Sequence, residues 1–219
     1  MEAGSGLKLT VEEQAQITSA VQAVERRTNA EIVPMLVARS GLYRDAQYQA
    51  GLIAALLVLA VLLTCETWWL PWGWHASNAA WLVCAVILAY AGGTRIGMWA
   101  PVIRLLTSQD RMRQKVIMRA ERAFAQHVGA QTRDRNGVLI MLSMLEKHIY
   151  VLPDGSLAEL VAAERWNHVV QVAIERLHQD DIVGGLSQAI HACGSVLAEA
   201  CPDRPGDNPN ELPDTVIQE

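Results

Sequence analysis

The sequence predicts a small α/β domain interrupted by a two-helix transmembrane hairpin. Two long apolar runs, about 49–69 and 78–99, lie in the middle of the chain. The polar segments on either side alternate helix-period and strand-period patterns. Neither segment carries enough elements to close a core alone, so the two must combine.

The 219 residues are 51% apolar, 19% charged and 5% aromatic, with a formal charge of −5. Mean hydropathy is +0.15 although both ends of the chain are polar, so the apolar residues are concentrated centrally. The acidic balance excludes a nucleic-acid binder, which needs a basic stripe against phosphates. Four cysteines without Cys-x-x-Cys spacing exclude a zinc ribbon and a disulfide scaffold.

Leu9 to Thr28 reads as the first helix. Thr10 followed by Glu13 makes a capping box, and Ile17, Ala20, Val21 and Val24 form an apolar face. Glu12, Gln16, Gln22 and Glu25 are expected to face water. Asn29 ends the helix, and Glu31 to Ala38 is a β run whose Pro34 signals an edge strand or a bulge.

The first apolar run, Gln49 to Trp69, extends ~31 Å at ~1.5 Å per residue, matching a hydrocarbon core of ~30 Å. The second, Asn78 to Trp99, meets Arg95, which can snorkel to headgroups near the end of the span. The connection carries Trp68, Trp69, Trp72 and Trp74, which suit a membrane interface, while Tyr48 and Trp99 mark the opposite one. Gly93-x3-Gly97 permits close helix approach, between these two spans or toward another membrane protein. The connection lacks Lys and Arg, whereas Arg39, Arg44, Arg104, Arg111, Arg113 and Lys115 flank the spans. The positive-inside rule therefore places both termini in the cytoplasm. Residues 1–20 show no cleavable signal pattern.

Pro101 to Leu106 is expected to ride at the interface. A helix follows from Ser108 to about Val128, with Met112, Val116, Ala120, Ala123 and Phe124 inward and a basic outer face attracted to anionic lipid. Asn136-Gly137 introduces a strand, Val138 to Met144; Leu145 to Lys147 turns; His148 to Leu152 is the third strand. Pro153-Asp154-Gly155 reads as a loop. Helices follow over about Ala163 to His178 and from Asp180 or Asp181 onward. Residues 201–219 read as an acidic, Pro-rich tail that does not fold independently. The expected organisation is thus 1–45 and 101–200 as two parts of one domain, 46–100 as the hairpin and 201–219 as the tail.

Three stretches resemble the TPM domain family: LTVEEQAQITSAVQAVERRTNAEIVPMLV (9–37), RNGVLIMLSMLEKHIYVL (135–152) and DDIVGGLSQAI (180–190). They are similar to that family's opening helix with its "TGAEIVV" strand, its "NNGVLLLVS" hairpin and its "GDYxxGL" last helix. PNELPD (209–214) resembles the short bacterial membrane-bound members. The domain is shared with thylakoid-lumen phosphatase-like and photosystem II repair proteins. The resemblance implies a three-layer α/β sandwich around a short sheet, and a divalent-cation site beside turns flanking it. Many members carry an acidic residue just before the first helix; here only Glu2 stands there.

A phosphatase needs a nucleophile or a metal pair. Five residues beyond Cys193 and Cys201 stand Glu199 and Asp207 rather than Arg, and there is no Asp-x-Asp pair, P-loop or HExxH. Asp134, Asn136 and Asp154 are the candidate oxygen donors for Ca²⁺ or Mg²⁺, and ordinary turn formers otherwise. His178 with Asp180 and Asp181 could hold a divalent ion, or serve as a helix C-terminus followed by an N-cap. The expectation is a non-enzymatic accessory module in a bacterial inner membrane, partnered by the lipid bilayer and a larger membrane protein assembly, without nucleic acid or obligatory cofactor. The alternatives are a membrane-tethered, divalent-cation-dependent phosphatase or hydrolase, and a cation-binding module without turnover.

Overall fold

The computed structural model describes residues 9–69, 76–129, 132–177, 179, 181–203 and 210–219. The chain folds as two compact units, Met1–Gly41 with Arg113–Glu219, and Leu42–Met112.

In the first unit, helix α1 (Val11–Glu25) starts at the capping box the sequence announces: Glu13 N donates to Thr10 Oγ1, and Thr10 N donates to Glu13 Oε2. Strand β1 (Glu31–Val37) runs parallel to β2 (Gly137–Ser143), in register from Glu31 opposite Gly137 to Val37 opposite Ser143. β3 (His148–Pro153) returns antiparallel to β2. Segments from either side of the apolar helices therefore share one sheet. A short β4 (Ile217–Gln218) pairs parallel with β1, giving the order β3-β2-β1-β4.

The sheet is covered on both faces, so β1 and β2 are buried throughout and read as continuous apolar runs. Ile32 and Leu36 of β1, with Val138, Ile140 and Leu142 of β2, face a core shared with α1, α7 (Ala163–Leu177) and α8 (Ile182–Ala200). Val33, Met35 and Val37, with Leu139 and Met141, face Val116, Ala120 and Ala123 of α5 (Gln109–His127). This is a three-layer α/β sandwich.

Pro34 has a specific place in it. Leu36 O accepts from Glu219 N and Ala38 N donates to Glu219 O, so the even-numbered residues of β1 turn their backbone away from β2. Pro34 lies on that side, where its missing N–H costs no ladder bond. The Ile32 N–H on the same side is taken by Glu25 Oε1 at 3.2 Å.

One element of this unit departs from the sequence reading. Asp154 begins no loop: it N-caps a short helix, α6 (Gly155–Leu160), whose Leu157 is buried. The same extended Asp serves either purpose, and the apolar contact of Leu157 selects the helix. The end of the tail is also ordered, with Leu212 and Ile217 packed on the α5-side core. Asp181 caps α8 through Gly184 N at 2.8 Å; His178 and Asp180 lie outside the described residues.

The second unit is built from α2 (Arg44–Trp69), α3 (Ala76–Ile96) and α4 (Ala100–Leu106). The second apolar run ends as a helix at Ile96, three residues before the expected Trp99, because the chain turns at Gly97-Met98 before Pro101 opens α4. Arg44–Thr64 and Ala79–Ile96 are long and apolar enough to cross a membrane.

α2 and α3 pack closely because Gly93 has no side chain. A Cβ there would stand 2.6 Å from Ala54 Cβ and 2.8 Å from Ala50 O, whereas one on Gly92 would meet nothing within 4 Å. Gly93→Ile is therefore expected to destabilise the helix pair by about 1–3 kcal/mol. In detergent this appears as hydrogen exchange along α2 and α3 faster by roughly fivefold or more, with Gly92→Ile unchanged.

Candidate functional site

The N-terminal ends of β1 and β2 meet the C-terminal end of α1 and residues 210–214 of the tail. Gln22, Glu25, Arg26, Glu31, Asn210 and Asp214 line a cleft of about 260 Å³ there. Its carboxylates are held by donors from several elements. Glu25 Oε1 accepts from Ile32 N at 3.2 Å and Glu31 Oε2 from Leu212 N at 3.3 Å. Asp214 accepts from Gln22 Nε2 at 2.9 Å and from Asn210 Nδ2 at 2.7 Å. Glu211, beside the cleft, accepts from Arg133 N at 2.8 Å.

Burial pushes the Glu25 carboxyl up to about 7, against the lowering effect of the Ile32 amide; Glu31 and Asp214 push it further up. Burial likewise raises Glu31, opposed by the amides of Leu212 and Glu211. Such shifts concentrate at functional sites. The cleft can hold a proton at neutral pH, and its acceptors are satisfied largely by backbone amides.

Because Glu25 is raised, the stability associated with its protonated form is fully present below the ordinary carboxylate range. It is lost as pH climbs through about 7. Glu25→Gln keeps an oxygen for the Ile32 N–H and removes the charge. The variant should unfold with a flatter pH profile between about pH 5 and 8 and be the more stable protein at the upper end, as measured by chemical denaturation.

The residues singled out from sequence have other surroundings. Asp134 is exposed beside Arg133, 3.4 Å away. Asn136 is buried; its Nδ2 donates to Asn29 O, and its backbone carbonyl accepts from Glu31 N at 3.3 Å. Asp154 is buried, caps α6, and faces the Arg135 guanidinium at 3.2 Å. Asn136 Oδ1, Asp154 Oδ2 and Thr132 Oγ1 are buried without a hydrogen-bond partner. Among the described residues no three His, Cys, Asp or Glu side chains are arranged to hold a metal ion.

Gly93 and Gly97 lie at the α2–α3 contact, and Arg95 and Trp99 are exposed. Trp68 and Trp69 end α2, with side chains outside the description; Trp72 and Trp74 fall outside the described residues. Sequence reasoning missed Glu25 and Glu31. Glu25 was expected to face water, and it is half-buried because the tail crosses the end of α1. The available signal for Glu31 was an acidic residue opening an otherwise wholly apolar strand, which demands a partner.

Residues 101–196 match the family described as TPM domain. That similarity covers 96 of the 219 residues. The match spans α4 to α8, and the parallel pairing of β1 with β2 joins the upstream helix and strand to the same sheet. The fold is similar to the NMR structure of the BA42 protein from the psychrophilic bacterium Bizionia argentinensis, with a TM-score of 0.61, 18% identity and coverage of 100% of each chain. No curated protein matches the chain.

Proposed function

We propose that this TPM domain is a non-enzymatic accessory module, anchored by α2 and α3 in a bacterial inner membrane with both termini in the cytoplasm, that binds and stabilises a larger membrane protein assembly. The observation that carries the anchoring is the exposed apolar surface of the hairpin. Leu52, Leu56, Leu57 and Val61 of α2, with Val83, Ile87 and Leu88 of α3, lie on its outside. Large exposed apolar patches mark membrane or partner contacts, and the length of both helices favours a bilayer. The orientation rests on the arginines flanking the spans.

The accessory role is supported by a compact α/β sandwich tied to a membrane hairpin and by the lack of a recognisable catalytic motif in the sequence. Solubilisation of native membranes in mild detergent tests it. Recovery in a larger complex with another membrane protein is expected; recovery only as the free chain contradicts the role.

A cation-binding reading without turnover is favoured by the buried acceptors Asn136 Oδ1 and Asp154 Oδ2, to which an oxygen-seeking Ca²⁺ or Mg²⁺ could bind. The Arg135 guanidinium beside Asp154 opposes it. Calorimetric titration with Ca²⁺ decides: absence of both heat and thermal stabilisation removes this reading.

A further inference from the structure

β1 and α5 hold residues 217–219 by three kinds of contact. The outer edge of β1 supplies backbone groups: β4 pairs opposite Met35 and Leu36, Glu219 N donates to Leu36 O, and Ala38 N donates to Glu219 O. Ile217 packs on the apolar cluster built by Val33, Met35 and Val37 with Val116 and Ala120. Arg119 and His127, about two turns apart on α5, both face the Glu219 carboxylate. Arg119 Nη2 pairs with Oε2, and His127 Nε2 lies 3.9 Å from Oε1.

The seat is imperfectly filled. His127 Nε2 is buried and has no hydrogen-bond partner. Ile217 and Gln218 are only half-buried, Glu219 is exposed, and the strand they belong to has two residues. A buried polar atom without a partner costs free energy, so an acidic group that reaches Arg119 and His127 together is held better than Glu219 is.

We propose that the outer edge of β1 and the adjoining face of α5 form a strand-docking site for an extended segment of a partner protein, with an apolar residue two positions before an acidic one. Residues 217–219 are its resident competitor. Extended segments add to sheet edges through backbone bonds, and seats for alternate side chains supply the selectivity. A spacing of two places the apolar and acidic residues on the same side of a strand, as Ile217 and Glu219 are placed toward α5. This rests on the accessory reading and deepens it by giving the surface and the chemistry of the segment it takes.

The probe is a fluorescein-labelled peptide with the sequence of residues 214–219, titrated against the full chain in detergent and followed by anisotropy. Ile217→Asp in the chain loosens the resident segment while leaving the buried Leu212 in place, so this variant should bind the peptide at least tenfold more tightly than the parent. In that background Arg119→Glu should weaken binding roughly tenfold or more, the scale of a charge-assisted hydrogen bond. Exchanging the peptide's glutamate for glutamine, or its isoleucine for aspartate, should do the same. Arg122→Glu, at an exposed position of the same helix, should change nothing. Glu219→Gln loosens the resident more gently, and should give a smaller gain of the same sign should Ile217→Asp cost the chain its fold.

No saturable binding to either loosened variant overturns the docking site. Binding indifferent to Arg119→Glu, or to the peptide's glutamate, overturns the recognition of an acidic segment. In native membranes Arg119→Glu, but not Arg122→Glu, should abolish recovery in the larger complex. A complex that survives Arg119→Glu overturns the docking site and leaves the accessory role standing, whereas a parent chain recovered only in free form removes the accessory role and this inference with it.

Discussion

Ending the chain at Asp203 is expected to accelerate hydrogen exchange of the β1 and β2 amides by about three orders of magnitude. Leu212 is only 3% exposed and packs on the α5-side core with Ile217, so its loss uncovers apolar surface worth about 2–3 kcal/mol. The backbone bonds of Glu219 to Leu36 and Ala38 go too, each worth about 1 kcal/mol. Glu31 loses the Leu212 N–H, leaving a buried carboxylate with one donor fewer. Together these losses come to about 4–5 kcal/mol, about a thousandfold or more in the opening equilibrium. Exchange measured by mass spectrometry on the full and shortened chains reads this directly. Leu212→Ala should reproduce a large part of the effect, and a change below about tenfold would mean that the tail is a passenger.

Ile140→Ala should be the most damaging single truncation in the sheet, costing about 3–4 kcal/mol. Ile140 is fully buried in β2, with β1 on one side and β3 on the other. Its core receives Ile17, Val21 and Val24 from α1 as well as Leu186, Ile190 and Leu197 from α8. A cavity there loosens contacts among elements from both polar segments, and close packing gives it little freedom to collapse. The expected signature is a fall in denaturant midpoint with an unchanged slope, followed on exchange-protected amides of the sandwich. Leu160→Ala, at an exposed position of α6, should stay within about 0.5 kcal/mol of the parent.

Much of this fold is legible from sequence, for local reasons. Thr10 and Glu13 announce α1 because their reciprocal bonds form within four residues. β1, β2 and β3 are announced by apolar runs between turn signals, and Asp181 is a cap wherever the following helix begins. Leu145-Glu146-Lys147 reads as a turn and forms one between β2 and β3, with Lys147 at a left-handed φ of 49°.

What is not legible depends on distant partners. β4 has two residues, too few for a periodic signal, and exists because the exposed side of β1 offers Leu36 O and Ala38 N. α6 depends on a buried seat for Leu157. The acidic cleft escapes for the same reason: helix periodicity puts Gln22 and Glu25 on the outward face of α1, and nothing near them in sequence tells of Asp214. Asp134, Asn136 and Asp154 are oxygen donors on turns flanking the sheet, where the family resemblance implies a cation site. The structure gives each a nearby arginine or backbone partner.

Segments on either side of the hairpin make one self-sufficient sandwich, to which the hairpin is an addition. Gly41 lies against the Lys115 side chain, so a short Gly-Ser linker can replace residues 42–112 without stretching the sandwich. Hydrogen exchange on that shortened protein, purified without detergent, is the decisive measurement. A monomer whose β1 and β2 amides keep protection within about tenfold of the full chain is expected. An aggregating product, or a monomer in which the β1 amides exchange freely, would contradict it.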